Sequence, residues 1–98
     1  MKILEFKSVS PLFEMERDGI KPFTTRKIDP KDKRFRALSQ WKRSYQQWAI
    51  KVINPTTGEI FIRKIKAVSP IIYWGETGLE GLADTWLIIV MGEIIKEG

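Results

Sequence analysis

Apolar and polar positions alternate at the start of the chain, and the pattern predicts an opening strand over Lys2–Lys7 with Ile3, Leu4 and Phe6 as its apolar members. Ser10-Pro11 follows and signals a helix start, because serine caps free N–H groups and proline suits the first helical position. Leu12, Phe13 and Met15 supply that helix with apolar contacts, and Gly19 ends it where a positive φ is needed. Pro22 holds Lys21 in an extended conformation, and Phe23, Thr24 and Thr25 favour a strand. Asp29-Pro30 is a second helix-start signal. Beyond it Phe35, Leu38, Trp41, Tyr45 and Trp48 recur at intervals of 3, 3, 4 and 3, a helical stripe that can break near Ser39.

The second half reads as sheet. Trp48 to Ile53 is a strand, Asn54-Pro55-Thr56-Thr57-Gly58 a hairpin turn, and Glu59 to Ser69 the return strand, ended by Pro70. Ile60, Ile62 and Val68 on one face alternate with Phe61, Arg63, Ile65 and Ala67 on the other, and apolarity on both faces suits a curled sheet. Residues 70–83, with Gly75, Gly78 and Gly81, read as a loop. Thr85 to Ile95 is the last strand, too apolar for an edge, with Trp86 expected in the core. The expectation is one α+β domain over residues 1–98, with about five strands and one or two flanking helices, the sheet closing on itself to remove its edges.

Composition narrows the chemistry. The 98 residues suffice for one core, and they contain no cysteine and no histidine. Disulfides, cysteine- or histidine-based zinc sites and any histidine acid–base triad are excluded, and no cofactor or metal is expected. The longest apolar run, Trp86 to Met91, is far short of the roughly 20 residues that span a membrane as a helix. With no signal-peptide pattern at the start, the expected location is the cytoplasm.

The formal charge of +5 is unevenly spread. Residues 21–51 carry ten lysines and arginines against Asp29 and Asp32, a local charge of +8. Residues 76–98 carry Lys96 against five acids, a local charge of −4. Such asymmetry favours an anionic partner for the middle of the chain, although a solvated basic face has the same composition. The densest chemistry lies between Gly19 and Phe35. On an extended strand Thr24 and Arg26 share a face, and Lys21 stands just before it. Arg26 offers a planar fork for phosphate or carboxylate, and Thr24 a hydroxyl for a base edge or an amide. Lys21 is a point charge in solvent, and half-buried beside Arg26 it is a candidate base or nucleophile. A carboxylate is still required, and Glu76, Glu80 and Glu59 are the candidates, with Glu76 preferred. Arg26 can instead form an ion pair with Glu59 or Asp84.

The run Gly19-x-Lys21-x-Phe23-x-x-Arg26-Lys27-x-Asp29, followed by Arg34-Phe35, resembles the signature of the ASCH domains, small PUA-like β-barrels, and is most similar to an uncharacterised bacterial and phage branch. Asn54 to Glu59 resembles the central hairpin of that family, Ile65 to Ser69 the strand after it and Trp86 to Met91 the closing strand. Pro22 stands where threonine is common, and Ala37 to Gln47 replaces a Gly-Asp step, so a helical insertion is expected there. The resemblance implies a pocket lined by the Lys21-to-Arg26 strand and a role in binding RNA or a nucleotide. The binding residues would be Lys21, Phe23, Thr24, Arg26, Lys27, Arg34, Arg36 and Arg43. One ASCH branch hydrolyses the acetyl amide of acetylcytidine, and by resemblance Lys21, Thr24 and Glu76 would be the catalytic set. A third reading is an accessory domain whose basic face binds a protein.

Overall fold

The computed structural model describes residues 2–27, 31–38, 48–73 and 84–97. Its elements are β1 (Lys2–Lys7), α1 (Leu12–Arg17), β2 (Phe23–Lys27), α2 (Lys33–Leu38), β3 (Trp48–Ile53), β4 (Ile60–Tyr73) and β5 (Asp84–Glu97). The five strands form one sheet in the order β1-β3-β4-β5-β2. β1 pairs with β3 in parallel, and the other three pairings are antiparallel. The sheet curls into a half-barrel, a small barrel-like α+β fold as expected, but its end strands β1 and β2 are not paired with each other, so the expected closure on itself is not formed. β5 lies between β4 and β2 and is an interior strand, as its apolar sequence requires.

Alternation selects the core. Leu4 and Phe6 of β1 are buried and Ile3 between them is exposed, so even positions of β1 face inward. On β4 the inward positions are Phe61 and Ile65 and then Val68. The parity changes because the β4–β5 register shifts between Ile62 and Ala67. That irregularity is the physical reason for the two-sided apolarity of the sequence. Leu87, Ile89 and Met91 of β5 complete the inner face, with Ile89 opposite Val68 and Met91 opposite Ile65.

Arg63 secures the irregular stretch. It donates from Nη1 to the Gly92 carbonyl at 2.8 Å and from Nη2 to the Arg17 carbonyl at 2.7 Å. The end of α1 is thereby fastened to β4 and β5. Phe13 fastens the inner side of α1, its ring centroid 5.4 Å from that of Phe61 at an interplanar angle of 45°. Gly19 follows at φ +77°, and a Cβ there would meet Arg63 Nη2 at 3.4 Å. In the β3–β4 hairpin Gly58 sits at φ +78°, and its N–H donates to the Asn54 carbonyl at 2.8 Å. Asn54 is fully buried: its Oδ1 accepts from Thr56 N and its Nδ2 donates to Ser10 Oγ.

Several sequence expectations need correction. Pro11, not Ser10, occupies the N-cap of α1, and no side chain caps it. The Ser10 hydroxyl donates instead to the Glu14 carboxylate one turn on. Pro70 does not end β4, which continues to Tyr73. β3 pairs with β4 only as far as Lys64, so beyond that point one side of β4 has no described strand partner and a missing N–H is tolerated there. Trp48 belongs to β3 rather than to the helical stripe, of which α2 contains Phe35 and Leu38. Trp41 and Tyr45 lie outside the described residues, as does most of the proposed insertion.

Phe61 is fully buried between α1 and the sheet, so Phe61→Ala is expected to cost about 3–5 kcal/mol, read as a lower urea midpoint. Leu12→Ala, at an exposed position of α1, should stay within about 0.5 kcal/mol of the parent protein. Equal losses at the two positions would contradict the packing described.

Candidate functional site

Three elements bring polar side chains to one interior point. On β1 the even positions face inward, and Ser8, directly after the strand, continues that face. On β2 the alternation places Thr24 and Arg26 inward, while Phe23 and Thr25 are exposed. On α1, Glu16 lies three residues after Phe13 and therefore on the same buried face. The result is a carboxylate with 1% exposure beside a threonine with 2%.

Glu16 accepts long hydrogen bonds from two hydroxyls. Thr24 Oγ1 lies 3.4 Å from Oε1, and Ser8 Oγ lies 3.4 Å from Oε1 and 3.5 Å from Oε2. Arg26 donates from Nη2 to Ser8 Oγ and from Nη1 to the Lys7 carbonyl, both at 2.7 Å. A guanidinium only donates, so the Ser8 oxygen accepts from Arg26 and its own proton is directed to Glu16. Ser8 thus relays the Arg26 charge to the carboxylate. Burial raises the Glu16 pKa, and Arg26, then Lys21, then the Thr24 and Ser8 hydroxyls oppose that rise. Burial likewise lowers the Arg26 pKa, with Glu16 acting against it and Arg34 with it.

The outer half of the site is different. Lys21 is half-buried, and its Nζ lies 5.4 Å from the ring centroid of Phe23, which is 39% exposed. Among the described residues Lys21 Nζ has no hydrogen-bond or ion-pair partner, so its charge faces the Phe23 ring and the field of Glu16. Lys21 is fixed by its backbone, its N–H donating to the Met15 carbonyl at 3.0 Å, and Pro22 is fixed by accepting from Met91 N at 2.9 Å.

The sequence-derived residues fall into distinct groups. Thr24 and Arg26 both turn inward around Glu16 and Ser8, whereas the Lys21 ammonium lies beside the Phe23 ring. Phe23 itself is on the solvent side. Arg34, expected as a ligand contact, turns back onto the fold: it pairs with Asp32, donates to the Glu5 carbonyl at 2.6 Å and lies 4.4 Å from the Phe6 ring centroid. Arg26 occupies the same ring at 5.1 Å. Lys27 lies on β2 and Arg36 on α2. Arg43, Glu76 and Glu80 lie outside the described residues. Glu59 is not the site carboxylate. It pairs with Arg17 at 3.0 Å, in a separate cleft of about 370 Å³ lined by Arg17, Asp18, Glu59, Ile60 and Glu97. The suggested Arg26–Glu59 pair is therefore not formed.

The carboxylate that meets Thr24, and Arg26 through Ser8, is Glu16, which sequence reasoning passed over. The signal was its three-residue spacing from Phe13 on a helix of six residues. Comparisons with protein-family models, curated proteins and solved structures find no match to this chain. Among the described residues no helix is long and apolar enough to cross a membrane.

The raised pKa of Glu16 has a defined consequence for stability. The folded state favours the protonated acid, so Glu16's contribution is fullest below its ordinary 4.5 and is lost as pH rises through the folded-state value. Glu16→Gln removes that loss, and urea denaturation should show the variant gaining on the parent as pH rises towards neutrality, the gain vanishing in acid. Glu16→Ala leaves both hydroxyls facing a cavity and should cost about 1–3 kcal/mol in acid, the cost shrinking as pH rises because it too removes the titrating group. Parallel stability–pH curves for parent and Gln variant would refute this.

Proposed function

We propose that the chain is an RNA- or nucleotide-binding module of PUA-like type, with Lys21 and Phe23 as its ligand-facing pair and Glu16, Ser8, Thr24 and Arg26 as the frame behind them. The observation that carries the reading is the lysine ammonium held beside an exposed aromatic ring with no ionic partner of its own among the described residues. An aromatic face accepts an unstacked base, and an adjacent cation meets the phosphate that follows it. Bases paired inside a duplex cannot reach a ring on a strand, so the preferred ligand is single-stranded. The +8 segment supplies long-range attraction. Arg26 and Arg34 spend their hydrogen bonds inside the fold and act chiefly through that field.

A second reading rests on one contact. Thr24 Oγ1 lies 3.4 Å from the Glu16 carboxylate, which also feels the Lys21 charge, so Glu16 supplies the acid that a Lys-Thr-Glu amidohydrolase acting on an acetylated nucleoside needs. The near-complete burial of Thr24 and Glu16 places both behind the surface and ranks this reading second. It is tested by acetate release from acetylcytidine, expected to disappear in a folded Lys21→Ala variant.

For the binding reading the measurement is anisotropy of a labelled single-stranded oligouridylate over a range of salt. Affinity should fall with salt, with a logarithmic slope of about −0.7 for each phosphate contacted. Lys21→Ala should weaken binding and flatten that slope by about one contact. Phe23→Ala should cost about 1–3 kcal/mol with the slope preserved. Absence of binding at low salt would remove the proposal.

A further inference from the structure

We propose that the outer face of the sheet carries a phosphate seat at Gly92, between Lys21 and Lys66, and that a single-stranded nucleic acid crosses the face there from β2 to β4. The proposal rests on the binding reading above and extends that site over two further strands.

Alternation and register place the residues. Thr24 on β2 and Leu87, Ile89 and Met91 on β5 are buried on the inner face, so Phe23, Val90 and Gly92 turn outward. Phe23 is paired with Val90, and Val90 with Ala67 of β4, so these three form one row across three strands. The next row is built differently. Met91 N donates to the Pro22 carbonyl at 2.9 Å, which continues the β2–β5 register by one step and brings Lys21 opposite Gly92. On the other side of Gly92 stand Lys64 and Lys66. A Cβ placed on the glycine would lie 3.7 Å from the Lys64 Cβ and 3.9 Å from the Lys66 Cβ. The irregularity of β4 between Ile65 and Ala67 lets Lys66 and Ala67 follow each other on this face, so Lys66 borders both rows.

Gly92 is thus a gap walled by lysine stems, the one position in the two rows without a side chain. Its floor is fixed, because Arg63 donates to the Gly92 carbonyl at 2.8 Å. Lys64 is answered by Glu93, with which it forms an ion pair. Lys21 and Lys66 have no ionic partner among the described residues; Lys66 is exposed, and the Lys21 ammonium lies 5.4 Å from the Phe23 ring centroid. Neighbouring strands are about 4.8 Å apart, so the two lysines straddle the gap with their backbones about 10 Å apart. Two flexible ammoniums at that separation can meet one phosphate over the glycine. The two rows are two residues apart, about 7 Å along the strands, a span that one nucleotide bridges from base to phosphate. A base lying on Phe23 and Val90 therefore leaves its phosphate over Gly92, where any side chain would compete for the same volume.

The experiment measures the affinity of labelled single-stranded oligouridylate over a range of salt for three variants. Lys66→Ala should weaken binding by up to about fivefold, the weight of one exposed ion pair, and flatten the logarithmic salt slope by about 0.7. Lys51→Ala removes the same charge from β3, where Lys51 stands opposite Ile62 and is paired with Glu5 at 3.6 Å, and should leave affinity and slope as in the wild type. Gly92→Ala adds only a methyl whose nearest neighbour is 3.6 Å away, so its urea midpoint should match the wild type or exceed it. Its affinity should nevertheless fall, because the seat is filled. Should its midpoint drop instead, the comparison of Lys66→Ala with Lys51→Ala decides alone. Equal effects of those two substitutions, or wild-type affinity in a folded Gly92→Ala, overturn the seat while the losses expected for Lys21→Ala and Phe23→Ala still support the binding reading. No binding by the wild-type protein at low salt overturns both.

Discussion

β1 and β2 are the two ends of a five-strand sheet, and side chains rather than a backbone ladder join them across the open side of its curl. Arg26 crosses from β2 to the Lys7 carbonyl and the Ser8 hydroxyl, and its guanidinium rests on the Phe6 ring. Arg34 reaches the Glu5 carbonyl and rests on the same ring. This seam positions everything else in the site. Without it Ser8 would not face Glu16, and the carboxylate would lose its link to a cation. A buried carboxylate persists only where hydrogen bonds and opposite charge offset its desolvation, and the seam supplies both.

The same arrangement sorts the charges of the motif by purpose. Arg26 is spent on architecture. Lys21, five residues earlier, is held by its backbone and leaves its ammonium beside an exposed ring. The buried half of the site is thus rigid and the outer half is available. Alternation along one short strand separates them, with Thr24 and Arg26 turned inward and Phe23 and Thr25 outward.

Much of this was legible in the chain. The bounds of β1, the hairpin at Asn54–Gly58, the turn at Gly19 and the shared face of Thr24 and Arg26 all follow from local rules of alternation and turn chemistry. What escaped depends on distant contacts. Glu16 reads as one of several acids until α1 is seen to pack its Phe13 face inward. Arg34 reads as part of a solvated basic run until β1 is known to lie beside β2, when its fork finds a carbonyl 29 residues away. Pro70 reads as a stop until the strand next to it is seen to end early. The ASCH resemblance drew attention to Lys21, Thr24 and Arg26 but not to the acid beside Thr24.

The arginines over Phe6 also bear on how copies of this chain behave towards one another. The Ser8 N–H points to β3, so the neighbouring odd residues of β1 direct their backbone groups away from the sheet. The outward carbonyls of Glu5 and Lys7 are the ones the two guanidiniums hold. A strand from another molecule could extend the sheet here only by evicting both cations from an aromatic ring and from their acceptors. Crowded preparations of the protein are thereby guarded at this margin against edge-to-edge polymerisation, the hazard that an uncovered end strand creates.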